Sequence, residues 1–168
     1  MKKDFSKIKL FAMDVDGTLT DGKIYIGNDG EVMKAFNAKD GLGIKLLIKK
    51  GIVPIIITGR RSKIVTRRCE EIGITVLYQG VHDKADILKN VMAKYDCTPE
   101  QTVYIGDDMN DLSAMQTAGI TFAPADCAAA LLPYVDFVLT QKSGDAPVRE
   151  AIDIILENRL TLSDYESI

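Results

Sequence analysis

The sequence predicts an α/β fold of the Rossmann-like, three-layer kind, and three observations lead there. Short, wholly apolar runs recur along the chain, stretches of helical pattern separate them, and several runs end abruptly in Asp, Gly or Thr. Strands that bury both faces need no alternation, so such runs with helices between them mark a parallel sheet covered on both sides. A length of 168 residues suits one domain spanning 1–168 and can bury a sizeable core without staples. Hydrophobic content of 46% and charged content of 27% belong to an ordinary globular protein, not a disordered one.

The first strand is read over Ile8 to Met13, which puts Asp14 where the chain leaves the sheet. Lys23 to Phe36 breaks the alternation: two β-prone arms flank Gly27-Asn28-Asp29-Gly30, a strong hairpin signal, giving an insertion at about residues 22–37. Neither face of that hairpin is clearly polar, so something is expected to cover both. Asp40 is read as capping a helix through Lys50 that stops at Gly51, and a second helix runs from about Ser62 to Ile72 and stops at Gly73. Further strands are Val53 to Ile57, Thr75 to Tyr78, Thr102 to Ile105 and, more weakly, Ile120 to Phe122 and Phe137 to Leu139. Thr98-Pro99-Glu100-Gln101 has the pattern of a capping box with proline at the first helical position, though it opens at most one turn before the next strand. Ala85 to Tyr95 and Pro147 to Asn158 complete the helices, and the gaps between the chemically suggestive segments are too short to hold a separate cap domain.

Charge and cysteine usage exclude several classes. A formal net charge of −3 argues against a nucleic-acid partner. Three cysteines, widely spaced and odd in number, fit a reducing compartment. No apolar leader follows Met1-Lys2-Lys3-Asp4, and no run approaches the ~18 apolar residues of a membrane span. The expectation is a cytoplasmic protein with no membrane partner.

Ligands of open α/β sheets bind at the carboxyl ends of the strands. Three predicted strand ends carry chemistry: Asp14-Val15-Asp16-Gly17-Thr18, Thr58-Gly59-Arg60 and Gly106-Asp107-Asp108-Met109-Asn110-Asp111, with Lys84 near a helix start between the last two. Each alone is as well explained by a turn, a cap or a solvated side chain. Together, in this order, they point to one crevice. At ~4 Å and an effective dielectric near 20, two like unit charges cost about 4 kcal/mol, so clustered carboxylates require a cation. Oxygen donors without nearby histidine or cysteine select Mg²⁺. A carboxylate can then attack a phosphoryl group, and a second one two residues on can protonate the leaving oxygen and later deprotonate water. Thr58 supplies a hydroxyl for the phosphoryl oxygens.

These segments resemble the four motifs of the haloacid dehalogenase superfamily of phosphohydrolases, from about residue 8 to 140. The resemblance implies Asp14 as nucleophile and Mg²⁺ ligand, and Asp16 as acid/base that also binds the metal through its carbonyl. It implies Thr58 and Lys84 as holders of the phosphoryl group, Asp107 as the remaining metal ligand, and Asp108 and Asp111 as outer residues that orient water, metal or Lys84. The stretches FNAKDGLGIKLL, ITGRRSKIVTRRCEEIGI, LYQGVHDK and YIGDDMNDLSAM further resemble the 3-deoxy-D-manno-octulosonate 8-phosphate phosphatase family and its relatives, including phosphatases of nine-carbon keto-acid sugars and phosphatase-like assembly modules. That likeness implies a sugar-phosphate substrate and a homotetramer contacting through the hairpin. Thr18, Gly59, Arg60, Arg68 and Arg149 are the substrate-binding candidates, since a keto-acid carboxylate suits an arginine fork. The Ser143-Gly144-Asp145-Ala146-Pro147 stretch departs from the glycine-rich pattern of many relatives, and as a loop it is placed near a neighbour's pocket. A phospho-receiver domain shares the acidic pocket, threonine and lysine, but would carry them in a different order.

Overall fold

The computed structural model describes residues 3–157 and 159–166. Six parallel strands form the main sheet: β1 (Leu10–Met13), β4 (Val53–Thr58), β5 (Val76–Gln79), β6 (Thr102–Ile105), β7 (Ile120–Ala123) and β8 (Phe137–Val138). Their spatial order is β5-β4-β1-β6-β7-β8. The chain therefore builds outward from β1 to one edge and returns to β1's other side for β6, which makes β1/β6 the topological switch point where such sheets bind ligands.

Period two along each strand sorts side chains into two cores. Phe11 and Met13, Ile56, Val103 and Ile105, and Phe122 face one side, where α1 (Ala38–Lys49), α2 (Lys63–Ile72) and α5 (Pro147–Ile155) bury Ile44, Leu47, Val65, Ile72, Val148 and Ile152. Leu10 and Ala12, Ile55 and Ile57, and Tyr104 face the other, against α3 (Lys84–Lys94) and α4 (Leu112–Met115). Helices α1 and α5 approach closely because position 43 is glycine: a Cβ there would lie 2.9 Å from Arg149 Cδ and 3.1 Å from Ile152 Cδ1.

Most predicted elements recur within two residues of their expected ends. Ser62 caps α2 by accepting from the Val65 amide, and Gly73 ends it in the left-handed region at φ 84°. The Thr98 capping box forms around a single 3-10 turn, Pro99–Gln101. One expectation fails: Asn37, not Asp40, caps α1, its side chain accepting from the Lys39 amide. Asp40 lies inside the first turn, buried, and its Oδ1 accepts from the Arg149 amide at 2.7 Å, so it serves the N-terminus of α5 instead. The predicted last helix ends at Ile155, and Asn158 lies outside the described residues. A four-residue helix, α6 (Leu162–Tyr165), follows, held to α1 by Lys50 Nζ on Asp164 at 2.8 Å.

The hairpin forms as β2 (Tyr25–Gly27) and β3 (Gly30–Met33), an antiparallel pair with a register shift between Tyr25 and Ile26. Its apolar side chains are open in the single chain: Ile26 is 71% and Val32 61% exposed. No described helix is long and apolar enough to cross a membrane.

Candidate active site

The acidic loops converge because each begins where a central strand ends. Asp14 follows β1 directly, and its amide donates to the Ile105 carbonyl of β6 at 3.1 Å, tying the two strand ends together. The chain then turns through Gly17, at φ 94°, so tightly that a Cβ there would collide with the Asp107 carboxylate. Thr18, fully buried, donates its hydroxyl to Asp107 Oδ1 at 3.2 Å. The Ser143 hydroxyl contacts the Gly17 carbonyl, and the Gly144 amide reaches the Thr18 carbonyl at 3.3 Å, so the loop after β8 braces the acidic turn of its own chain.

Lys84 is the first residue of α3, with Asp83 as the N-cap. Its ammonium, almost wholly buried, lies 3.0 Å from Asp14 Oδ2 and 2.7 Å from Asp111 Oδ1. Asp111 has no exposed surface and is fully engaged. Its Oδ1 also accepts from the Tyr104 hydroxyl at 2.7 Å, and its Oδ2 accepts from the Asp107 amide at 3.1 Å and more weakly from the Asp108 amide at 3.5 Å. Asp108 caps the following turn by accepting from the Met109 amide at 2.7 Å.

Carboxylate oxygens of Asp14, Asp107 and Asp111 lie within 4.8 Å of one another. The donor chemistry fits a hard divalent cation: all oxygen, with Asp14 Oδ1 buried and lacking any hydrogen-bond partner. Because Asp111 spends both oxygens on protein donors, Asp14 and Asp107 are the acids left to hold it. The electrostatics agree. Burial, reinforced by the charge of Asp111, raises the Asp14 carboxyl to about 6; burial, with Asp111 and Asp14, raises Asp107 to about 7. Burial pulls the Lys84 ammonium down, but Asp14 and Asp111 outweigh it and hold it above the ordinary lysine value.

Asp16 meets different partners. Its Oδ1 pairs with Lys34, one residue beyond β3, and its Oδ2 lies 3.9 Å from Arg60 Nε. Thr58, the buried last residue of β4, is joined to the loop after β5 through the Val81 amide on its carbonyl at 3.1 Å. Gly59 leaves ordinary room for a Cβ, 3.6 Å from the Val81 carbonyl, so packing does not require glycine there. Arg68 and Arg149 are not within ion-pair distance of these acids. Arg68 pairs with Glu71 and lies 5.7 Å above the Phe36 ring, while Arg149 pairs with Asp153 and lines a cleft of about 530 Å³ with Lys39, Gln141 and Glu150.

Two side chains at the site escape the motif reading. Tyr104 lies within an apolar strand, where its ring explains its presence and hides the hydroxyl's role. Lys34 carries no such signal: it lies one residue past β3, beside the exposed Val32 and Met33, and reads as one more solvated lysine.

Comparison with known proteins supplies independent evidence. The family model for haloacid dehalogenase-like hydrolases matches residues 73–152. The chain is 46% identical over 151 residues to the 3-deoxy-D-manno-octulosonate 8-phosphate phosphatase KdsC of Yersinia pestis, covering 90% of this chain and 81% of that protein. The crystal structure of the phosphatase of that name from Yersinia pestis superposes with a TM-score of 0.89 at 44% identity, over 97% of this chain and 86% of the other. The Moraxella catarrhalis phosphatase, solved with a magnesium ion, a phosphate ion and a KDO molecule, superposes with a TM-score of 0.88 at 40% identity, over 91% and 88% of the two chains.

Proposed function

The chain belongs to the haloacid dehalogenase-like hydrolases, among the 3-deoxy-D-manno-octulosonate 8-phosphate phosphatases, and on that premise we propose that it hydrolyses 3-deoxy-D-manno-octulosonate 8-phosphate to the free sugar acid and phosphate. The observation that carries the reading is Asp14: one oxygen rests on the Lys84 ammonium, the other has no partner, and Asp107 stands beside it. A buried carboxylate in that state is poised to accept a cation and an electrophile.

Asp14 attacks phosphorus as the bond to the sugar oxygen breaks, and the leaving oxygen takes its proton from Asp16. The aspartyl-phosphate is then attacked by water, whose proton returns to Asp16 as phosphate departs and Asp14 is freed. Lys84 and the Thr58 hydroxyl hold the phosphoryl oxygens, and Asp111 aims Lys84. Asp14, Asp107 and the Asp16 carbonyl would hold Mg²⁺, which supplies the positive charge that lets an anionic nucleophile approach an anionic ester. Thr18 fixes the Asp107 carboxylate, Asp108 caps the turn behind it, and Gly59 and Arg60 border the opening.

The exposed apolar hairpin supports a homotetramer assembled through residues 22–37, and a pocket completed by neighbouring chains gives Arg68 and Arg149 a place in substrate binding. Such an enzyme works in the cytoplasm. The test is phosphate release from eight- and nine-carbon keto-acid sugar phosphates with Mg²⁺ and with chelator, alongside light scattering for mass. Faster turnover of the eight-carbon substrate, lost in Asp14→Asn, is expected. A preference for a nine-carbon 9-phosphate reassigns the substrate, and normal turnover by Asp14→Asn overturns the mechanism.

A further inference from the structure

Lys34 sits in the most exposed part of the molecule and is nonetheless enclosed. Its neighbours Val32 and Met33 are 61% and 49% exposed, while its own side chain is 2% exposed. Withdrawing an ammonium from water costs several kcal/mol unless anions receive it, and two do: Asp16 Oδ1 and, at 3.1 Å, Glu31 Oε1. The second Glu31 oxygen accepts from the Ser62 hydroxyl, which itself accepts from the Val65 amide as the cap of α2. The Ser62 amide is held by Gln79 Oε1 at 2.6 Å, at the end of β5. An unbroken polar chain thus runs from Asp16 through the hairpin to the scaffold behind it.

The consequence for Asp16 is asymmetric. Lys34 occupies Oδ1, whereas Oδ2 has only Arg60 near it, at 3.9 Å, beyond hydrogen-bond length. One oxygen is anchored, and the other has no hydrogen-bond partner among the described residues. We propose that Lys34 is a positioning residue for Asp16, fixing its side chain so that Oδ2 meets the leaving oxygen, and that it makes this aim depend on how the hairpin is seated. The inference rests on Asp16 being the acid/base.

Leaving groups separate this from a merely structural clasp. An alkyl phosphate releases an alkoxide that must be protonated as it departs, whereas p-nitrophenyl phosphate releases a stable phenolate that needs no proton. A general acid is worth about 10²–10⁴-fold where it is required, so in the step that expels the leaving group misaiming one loses part of that on the alkyl ester alone. The 168-residue protein with Mg²⁺ is assayed on 3-deoxy-D-manno-octulosonate 8-phosphate and on p-nitrophenyl phosphate. Lys34→Met keeps the stem and removes the charge; it is expected to lower kcat/KM, which reports phosphorylation of Asp14 and not the hydrolysis shared by both esters, about 10- to 100-fold on the sugar phosphate and under about 3-fold on the aryl ester. Lys34→Arg restores most of the loss. Glu31→Gln, which loosens the clasp without removing the lysine, shows a smaller loss with the same selectivity and serves if Lys34→Met does not fold. Equal fold-losses in kcat/KM on the two esters, or none on either, overturn the proposal. Asp16→Asn on the same pair isolates the premise: if its kcat/KM loses no more on the sugar phosphate than on the aryl ester, the acid reading falls and takes the proposal with it. If it does discriminate while the Lys34 and Glu31 variants do not, only the role of Lys34 is lost.

Discussion

Tyr104→Phe removes one oxygen atom from the interior and tests whether Lys84 is held by a network or by a single pair. The Tyr104 hydroxyl and the Lys84 ammonium donate to the same Asp111 oxygen, each at 2.7 Å, and all three side chains are buried. A hydrogen bond to a charged acceptor is worth about 1.5–3 kcal/mol. Asp111 keeps Lys84 and the Asp107 amide after the change, so the lower end applies, about 1.5 kcal/mol. For a chain of this size that lowers the melting temperature by roughly 3–6 °C. With Asp111 free to tilt, Lys84 follows, and kcat should fall about 3- to 10-fold, which is roughly 0.7–1.4 kcal/mol of barrier. The decisive measurement is a double-mutant cycle with Lys84→Met in steady-state phosphate release. If Tyr104 acts through Asp111 on Lys84, its removal costs under about 2-fold once Lys84 is gone, a coupling of at least ~0.2 kcal/mol for a roughly 3-fold single loss and ~1 kcal/mol for a roughly 10-fold one. Losses that multiply independently would refute the network and leave Tyr104 as packing.

Gly17→Ala drives a Cβ into the Asp107 carboxylate at a backbone angle that disfavours any side chain, so Mg²⁺ affinity by calorimetry should drop at least about tenfold with a destabilisation of about 1–2 kcal/mol; an unchanged isotherm would refute the close approach. Burial raises the Asp40 carboxyl from 3.8 to about 6, so its ionised form disfavours the folded state. Its destabilising contribution is absent below about pH 4, grows as pH rises to about 6 and is flat above, up to about 3 kcal/mol. Urea denaturation of wild type and Asp40→Asn at pH 4 and 7.5 should therefore show the variant gaining relative stability at the higher pH; parallel profiles would sink this. Ala146 is a non-glycine residue at φ 68° at the N-cap of α5, so Ala146→Gly should raise stability by about 0.5–1 kcal/mol, read as a melting temperature higher by roughly 1–4 °C, and a lower one would count against strain there.

What could be read in advance was whatever chemistry lies next to a strand in the chain. A parallel strand buried on both faces announces itself by composition, and polar residues at the ends of adjacent strands are brought side by side, so the nearness of Asp14 to Asp107 was legible from local sequence alone. Partnerships across long separations left no such mark. Asp40 has an ordinary capping residue's identity and spacing, and only the packing of α5 on α1 gives it the Arg149 amide, far away in the chain, as its partner. Lys34 is likewise invisible until the hairpin folds back over the acidic turn. The same physics accounts for both outcomes. Desolvated charges must be paired, but the pairing is chosen by tertiary geometry, so sequence reveals which carboxylates will need a cation before it reveals which lysine each receives. Asp14 and Asp16 stand two residues apart yet draw on separate lysines, one from α3 and one from the hairpin. Two acids with separate counter-ions are held independently of one another, which is what the separate tasks proposed for them require.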